Sequence, residues 1–160
     1  MIRWLFQFTL LLALSLWVGS IAFFSAVVTR GIFAVLDRPA AGNLLAQLFP
    51  RYYQAGALCG AVALVALLLL FLFDAGSRAL RFLQLVLVLI MLGGTLYAGW
   101  WLQPRLHQLR GERSSAPSAV QREEAERRFQ KLHARSVQLN VGVLVLGVAG
   151  LGTLAVRKKA

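Results

Sequence analysis

The sequence predicts an all-α protein of the membrane: a four-helix transmembrane bundle, with a short interfacial helix after span 1 and a protruding extension of span 4. Three observations predict it. Residues 4–29, 52–73, 82–104 and 136–156 contain no Asp, Glu, Lys, Arg or His. Each of these stretches meets the length of roughly 20 apolar residues that carries a helix across about 30 Å of hydrocarbon. Only 14% of the residues are charged against 59% hydrophobic, and the mean hydropathy is +0.69; a soluble domain carries about a quarter charged residues. In lipid such segments satisfy their own backbone only as helices. The four stretches hold 92 of the 160 residues, which makes 1–160 a single integral membrane domain with no room for a soluble catalytic domain.

Span 1 opens at Trp4, an interfacial aromatic, and carries Ser15, Gly19, Ala22 and Ala26 as a strip of small residues on one face. Strips of this kind let helices approach closely where lipid removes the hydrophobic drive for association. Arg3 and Ser20-Ile21-Ala22 resemble parts of a signal peptide, but the apolar run continues through Phe23, Phe24 and Val28, beyond the usual length of such a region; the segment is expected to stay as a span. Arg30 is expected to snorkel to headgroups or pair with Asp37. Arg38-Pro39 is expected to break the helix. Ala40 to Phe49 then reads as an amphipathic interfacial helix ended by Pro50.

Span 2 opens with Tyr52-Tyr53 and contains Gly56-x-x-x-Gly60, a motif for dimerisation or for packing inside the bundle. Asp74 to Arg81 reads as a tight turn that makes spans 2 and 3 antiparallel neighbours. Span 3 ends in the aromatic anchor Trp100-Trp101. The charged loop and helix over 105–135 hold 12 of the 23 charged residues. This region begins irregularly around Gly111, Ser114, Ser115 and Pro117 and becomes helical from about Ser118, with Glu123–Arg127 and Glu124–Arg128 in the favourable i,i+4 order. Nothing interrupts that helix before span 4. About 38 residues would measure about 57 Å. Counting Lys and Arg favours the first and third loops in the cytoplasm.

Composition also excludes. A net charge of +11 would suggest nucleic acid in a soluble chain, but here the cations flank spans and meet headgroups; the expected partner is the lipid bilayer, not nucleic acid. The single Cys59 allows no disulfide framework and no cysteine-based metal motif. The uncharged spans argue against proton- or cation-coupled transport. No His or Met pair at membrane depth offers haem or copper ligands. Neither a cofactor, a metal nor a catalytic set is expected.

The polar candidates share one face. Span counting gathers Arg38, Tyr52, Arg105, His107, His133, Ser136 and Asn140 at the loop 1 and loop 3 side. Phe129, His133, Ser136 and Asn140 follow one helical stripe into the bilayer, where their polar groups need partners. They either tie span 4 to its neighbours or form a polar vestibule for a small solute, with Arg38, Tyr52, Arg105, His133, Ser136 and Asn140 as the candidate site. His107 reads as a solvated loop residue.

Trp17-x-Gly19, Leu36-x-Arg38 with Gly42, Leu48-Phe49-Pro50-x-Tyr52, Trp101-Leu102-Gln103-Pro104-Arg105 and Phe129-x-x-x-His133-x-x-Ser136-x-x-x-Asn140 together resemble the transmembrane-protein-205-like family, a domain of unknown function numbered 4149. The resemblance implies a four-span membrane protein of bacteria or eukaryotes with no established activity, whose relatives have been linked to export or tolerance of toxic compounds. Some members carry an acidic residue where this chain has Gln103 and a His in the first span where it has none, which speaks against a charge-based or metal-binding mechanism here. The leading functional expectation is a non-enzymatic protein of the bacterial cytoplasmic membrane that binds or transports a small solute. The rival is a structural or assembly subunit contacting itself or another membrane protein through Gly56, Gly60 and the small-residue strip. A membrane enzyme comes third.

Overall fold

A computed structural model describes residues 2–73 and 78–156. It contains four long helices: α1 (Ile2–Val35), α2 (Arg38–Phe73), α3 (Arg78–Ser115) and α4 (Ala119–Val156). All four are long and apolar enough to cross a bilayer, and no strand occurs among the described residues. Neighbours in the chain are neighbours in space, and α4 closes the ring against α1. The result is an up-and-down bundle whose diagonal pairs are α1 with α3 and α2 with α4.

The core resembles that of a water-soluble bundle, but the exterior does not. Leu10, Leu14, Trp17 and Ile21 of α1 meet Ala63, Ala66, Leu67 and Leu70 of α2, Val88 and Met91 of α3, and Val143 of α4 in one continuous core. The outer faces are equally apolar, with Leu58, Leu72, Ile90 and Val145 each more than half exposed. A contiguous apolar exterior of this extent is unfavourable in water and natural in lipid. The chain is therefore a multi-pass integral membrane protein.

Trp17 decides how α1 and α2 meet. A Cβ on Gly60 would lie 2.7 Å from its ring and one on Gly56 3.0 Å from its Nε1, so the two glycines form the slot that the indole fills. The glycine motif is thus occupied within the chain. The strip of Ser15, Gly19, Ala22 and Ala26 faces outward instead, with open space over Gly19.

Four sequence expectations change. The break after α1 falls at Leu36, whose φ of −107° and ψ of 149° are extended, and not at Arg38-Pro39. Asp37 then caps α2, its Oδ1 accepting the Ala40 N–H at 2.8 Å, while Pro39 occupies the first turn, where its missing N–H is not needed. Asp37 makes no ion pair with Arg30 among those of the described residues. Residues 40–49 are helical as expected but are not a separate interfacial helix, because α2 runs through Pro50. Proline removes one backbone bond and crowds the preceding turn. Here an aromatic cluster braces both sides of it: Phe24 stacks on Tyr52 at 4.6 Å and approaches Phe49 at 5.4 Å, and Phe49 stacks on Tyr53 at 6.2 Å.

Finally, 105–115 is helical, continuing α3 to Ser115. The protrusion is consequently an antiparallel pair, the outer ends of α3 and α4, clamped by Arg113–Glu126 at 2.6 Å. The extension of span 4 keeps its expected length, and α4 counts 38 residues. Of the predicted turn 74–81, residues 74–77 lie outside the described residues, and α3 starts at Arg78.

Candidate functional site

Two wide turns of π geometry mark the loop-side end of the bundle, Phe24–Val28 in α1 and Ala98–Leu102 in α3. Such turns leave backbone groups to be satisfied by other means and recur at functional positions. Thr29 closes the first, donating both its hydroxyl at 3.0 Å and its backbone N–H to the Phe24 carbonyl. The second precedes Pro104, which has no N–H to keep the α register; Gln103 N–H reaches back to the Ala98 carbonyl instead. Both turns face the same tyrosine pair. Phe24 stacks on Tyr52, and a Cβ on Gly99 would sit 2.7 Å from Tyr53 Cβ.

The tyrosines reach across the diagonal to α4. Asn140 Nδ2 donates to Tyr53 Oη at 3.1 Å, and Tyr52 donates to Asn140 Oδ1 at 3.4 Å. Tyr53 Oη also lies 3.3 Å from Ser136 Oγ; since it accepts from Asn140, its proton is free for Ser136. Tyr53 is 2% exposed and Ser136 5%. Every hydroxyl and amide in this group therefore has a partner, which lowers the cost of holding it at the edge of lipid.

Beside this crossing lies a cleft of about 440 Å³ between α2, α3 and α4. Phe49, Tyr53, Trp100 and Phe129 supply apolar walls, and Gln54, Gln103, His107, Arg110 and His133 supply hydrogen-bonding groups. Trp100 is 60% exposed, so one wall reaches the outer surface of the bundle at the end of span 3. Pro50 and Pro104 both line the space, as does Ala46, whose carbonyl Pro50 cannot serve.

The charge in the cleft is held in place. Arg110 donates to the Gly42 carbonyl and lies 5.3 Å over the Phe129 ring, which in turn stacks on His133 at 5.8 Å and 4°. Burial, together with the neighbouring Arg113, pulls the Arg110 guanidinium below its ordinary value. Burial, then Arg110, pushes the His133 imidazole below its ordinary value, so the ring is neutral at pH 7 and able both to donate and to accept. The cleft thus combines aromatic surface, one fixed cation and several neutral donors. That combination suits a solute with an apolar body and an accepting or anionic head. His107 and His133 both face it, and among the described residues no group of three His, Cys, Asp or Glu comes together.

The six residues expected from sequence separate into three groups. Tyr52 and Asn140 meet directly, and Ser136 joins them through Tyr53. His133 lines the cleft next to them. Arg38 is exposed at the start of α2 and Arg105 lies 3.8 Å over Trp101 on another face of α3, so neither joins. Tyr53, Gln54, Gln103, His107 and Arg110 were missed or discounted. Gln103, His107 and Arg110 follow at i, i+4 and i+7, one helical face, a signal hidden by reading the Gly111 region as irregular.

A family model described as "Domain of unknown function (DUF4149)" matches residues 12–115. That is well over half of the chain, from within α1 to the end of α3, and the chain belongs to this family. No curated protein and no solved structure matches it.

Proposed function

We propose that this DUF4149 member binds a small amphipathic solute in the loop-side cleft, as the recognition step of holding or moving it at the membrane surface. The carrying observation is the cleft itself: about 440 Å³ of mostly apolar space beside a fixed Arg110 and a neutral His133. Pockets of this size, with few polar groups and many apolar ones, are the usual form of small-molecule sites. Arg110 and His133 orient the head, while Phe129 and Trp100 cover the body. The proposed location is the bacterial cytoplasmic membrane with the hairpin in the cytoplasm. A closer kinship with the transmembrane-protein-205-like proteins is supported by Phe129, His133, Ser136 and Asn140, beyond the matched segment.

The test uses full-length protein in a neutral detergent and a series of aromatic acids: benzoate, naphthoate and naphthalenesulfonate. At least one is expected to raise the thermal midpoint of wild type and not of the double variant Gln103→Ala, His133→Ala. If none raises it, or the double variant responds equally, the cleft is not a solute site.

One observation favours a second reading, an assembly role: the outward strip at Gly19, over which nothing lies within 4 Å. With Cys59→Ala as background, Gly19→Cys would then give a disulfide-linked dimer in native membranes on mild oxidation. Its absence leaves that strip facing lipid.

A further inference from the structure

A second groove lies on the other side of the hairpin, away from the cleft. It measures about 470 Å³, between the outer part of α3 and the membrane-proximal part of the α4 extension, and Arg105, Arg128, Lys131 and Arg135 line it with Glu112. Glu124 engages Arg128 one turn away. Among the described residues Arg105, Lys131 and Arg135 are in no ion pair. Three cations therefore converge on one groove with a single carboxylate, Glu112, beside them.

Their depth is set by the chain. Arg105 is the first charged residue after the uncharged 82–104, and Arg135 the last before the uncharged 136–156. Both must sit where hydrocarbon gives way to headgroups. Lys131 is one turn further, about 6 Å along the helix, still within the headgroup layer of several ångströms on each side of the hydrocarbon. Trp101, an aromatic of the interfacial belt, holds the Arg105 guanidinium 3.8 Å over its ring. Leu109 and Leu132 floor the groove.

We infer that this groove is a binding site for the phosphate of an anionic phospholipid, whose chains continue down the apolar outer surfaces of spans 3 and 4. Guanidinium groups match phosphate oxygens in geometry as well as charge. Basic pockets between helix ends at this depth are a recurring mode of headgroup recognition.

Native mass spectrometry of the full-length protein in neutral detergent, titrated with dioleoylphosphatidylglycerol or dioleoylphosphatidylcholine, tests this. Wild type is expected to bind one phosphatidylglycerol at least about tenfold more tightly than phosphatidylcholine. Each cation removed should weaken that binding about fivefold, so R105Q/K131Q/R135Q should erase the preference. R105K/R135K should retain it. R122Q/R127Q, further up the hairpin, should match wild type. Should the triple variant fail to fold, K131Q alone carries the test, with a severalfold loss. Equal affinity for both lipids, an unchanged triple variant (or unchanged K131Q in its place), loss of the preference in R105K/R135K, or an equal loss in R122Q/R127Q overturns the site. Displacement of the lipid by millimolar glycerol 3-phosphate assigns it to a soluble phosphate instead and overturns the lipid reading.

Discussion

Polar side chains link the helices near both membrane faces, and the two links differ in reach. Near the start of α3, Gln84 Nε2 donates to Thr153 Oγ1 at 3.1 Å, and Thr153 donates in turn to the Gly150 carbonyl at 2.6 Å. Arg81, 1% exposed, donates to the Leu70 carbonyl. Each of these links joins adjacent helices or one helix to itself. At the loop side the tyrosines cross the diagonal from α2 to α4, and every polar group is used. Along a wall the links join helices that already touch, whereas the diagonal is bridged by a tyrosine pair from one side and by Ser136 and Asn140 from the other. The wall beside that bridge carries two prolines and a π turn, and the cleft lies there.

The largest effect is expected from crowding Tyr53, the residue that crosses the diagonal. Gly99→Val would place its Cβ 2.7 Å from Tyr53 Cβ, an atom close to the backbone that cannot swing away. Overpacking of this kind costs about 1 to 3 kcal/mol, to be read from unfolding in mixed micelles. Gly93→Ala on the same helix, with open space around it, should cost far less. Equal losses would mean that the tyrosine contact is not tight.

Next in size is the contrast between the two links. Asn140→Leu strands the Tyr52 hydroxyl and removes a donor from Tyr53, costing about 1 to 2 kcal/mol. Among the described residues the Gln84 amide oxygen has no partner, so Gln84→Leu removes an unsatisfied acceptor together with the bond to Thr153 and should change stability by less than about 0.5 kcal/mol in either direction. If the two substitutions cost the same, the distinction between the ends fails.

A smaller effect is expected from acid. His133 is depressed by burial and then by Arg110, with His107 also facing the cleft. The folded state therefore takes up this proton less readily than the unfolded chain, and stability falls as pH drops below the ordinary value near 6.5. His133→Gln should flatten that part of a thermal-midpoint profile. Glu126 is lowered by hydrogen bonds from Gln130 and Arg113, and its contribution is lost only below its ordinary value near 4.5, a separate window. A small change is also expected at Arg113–Glu126, whose side chains are 40% and 35% exposed: Arg113→Gln should cost less than about 1 kcal/mol.

Much of this was readable in advance, and the errors share a cause. Four uncharged stretches forecast four spans, because backbone in lipid has no alternative to a helix. The stripe of His133, Ser136 and Asn140 was readable from helical period alone. The misreadings fall where local signals were trusted to stop a helix. Pro39, Pro50 and Gly111 look like breaks, yet each lies inside a helix. Pro39 needs no partner in a first turn, Pro50 is held by Phe24, Phe49 and the tyrosines, and the Gly111 region is held against α4. Ending span 3 at residue 104 and reading 105–117 as irregular hid the face of Gln103, His107 and Arg110.

By itself, the sequence determined the membrane location, the number of helices and which ends carry charge, because those follow from the solvation of each segment taken alone. Which helices became diagonal was decided only in three dimensions. The ring order set Tyr52 and Tyr53 against Ser136 and Asn140 and left Arg38 and Arg105 outside. It also closed the Gly56–Gly60 slot around Trp17. Those outcomes depend on how four cylinders share one core, and no single helix encodes that in its own periodicity.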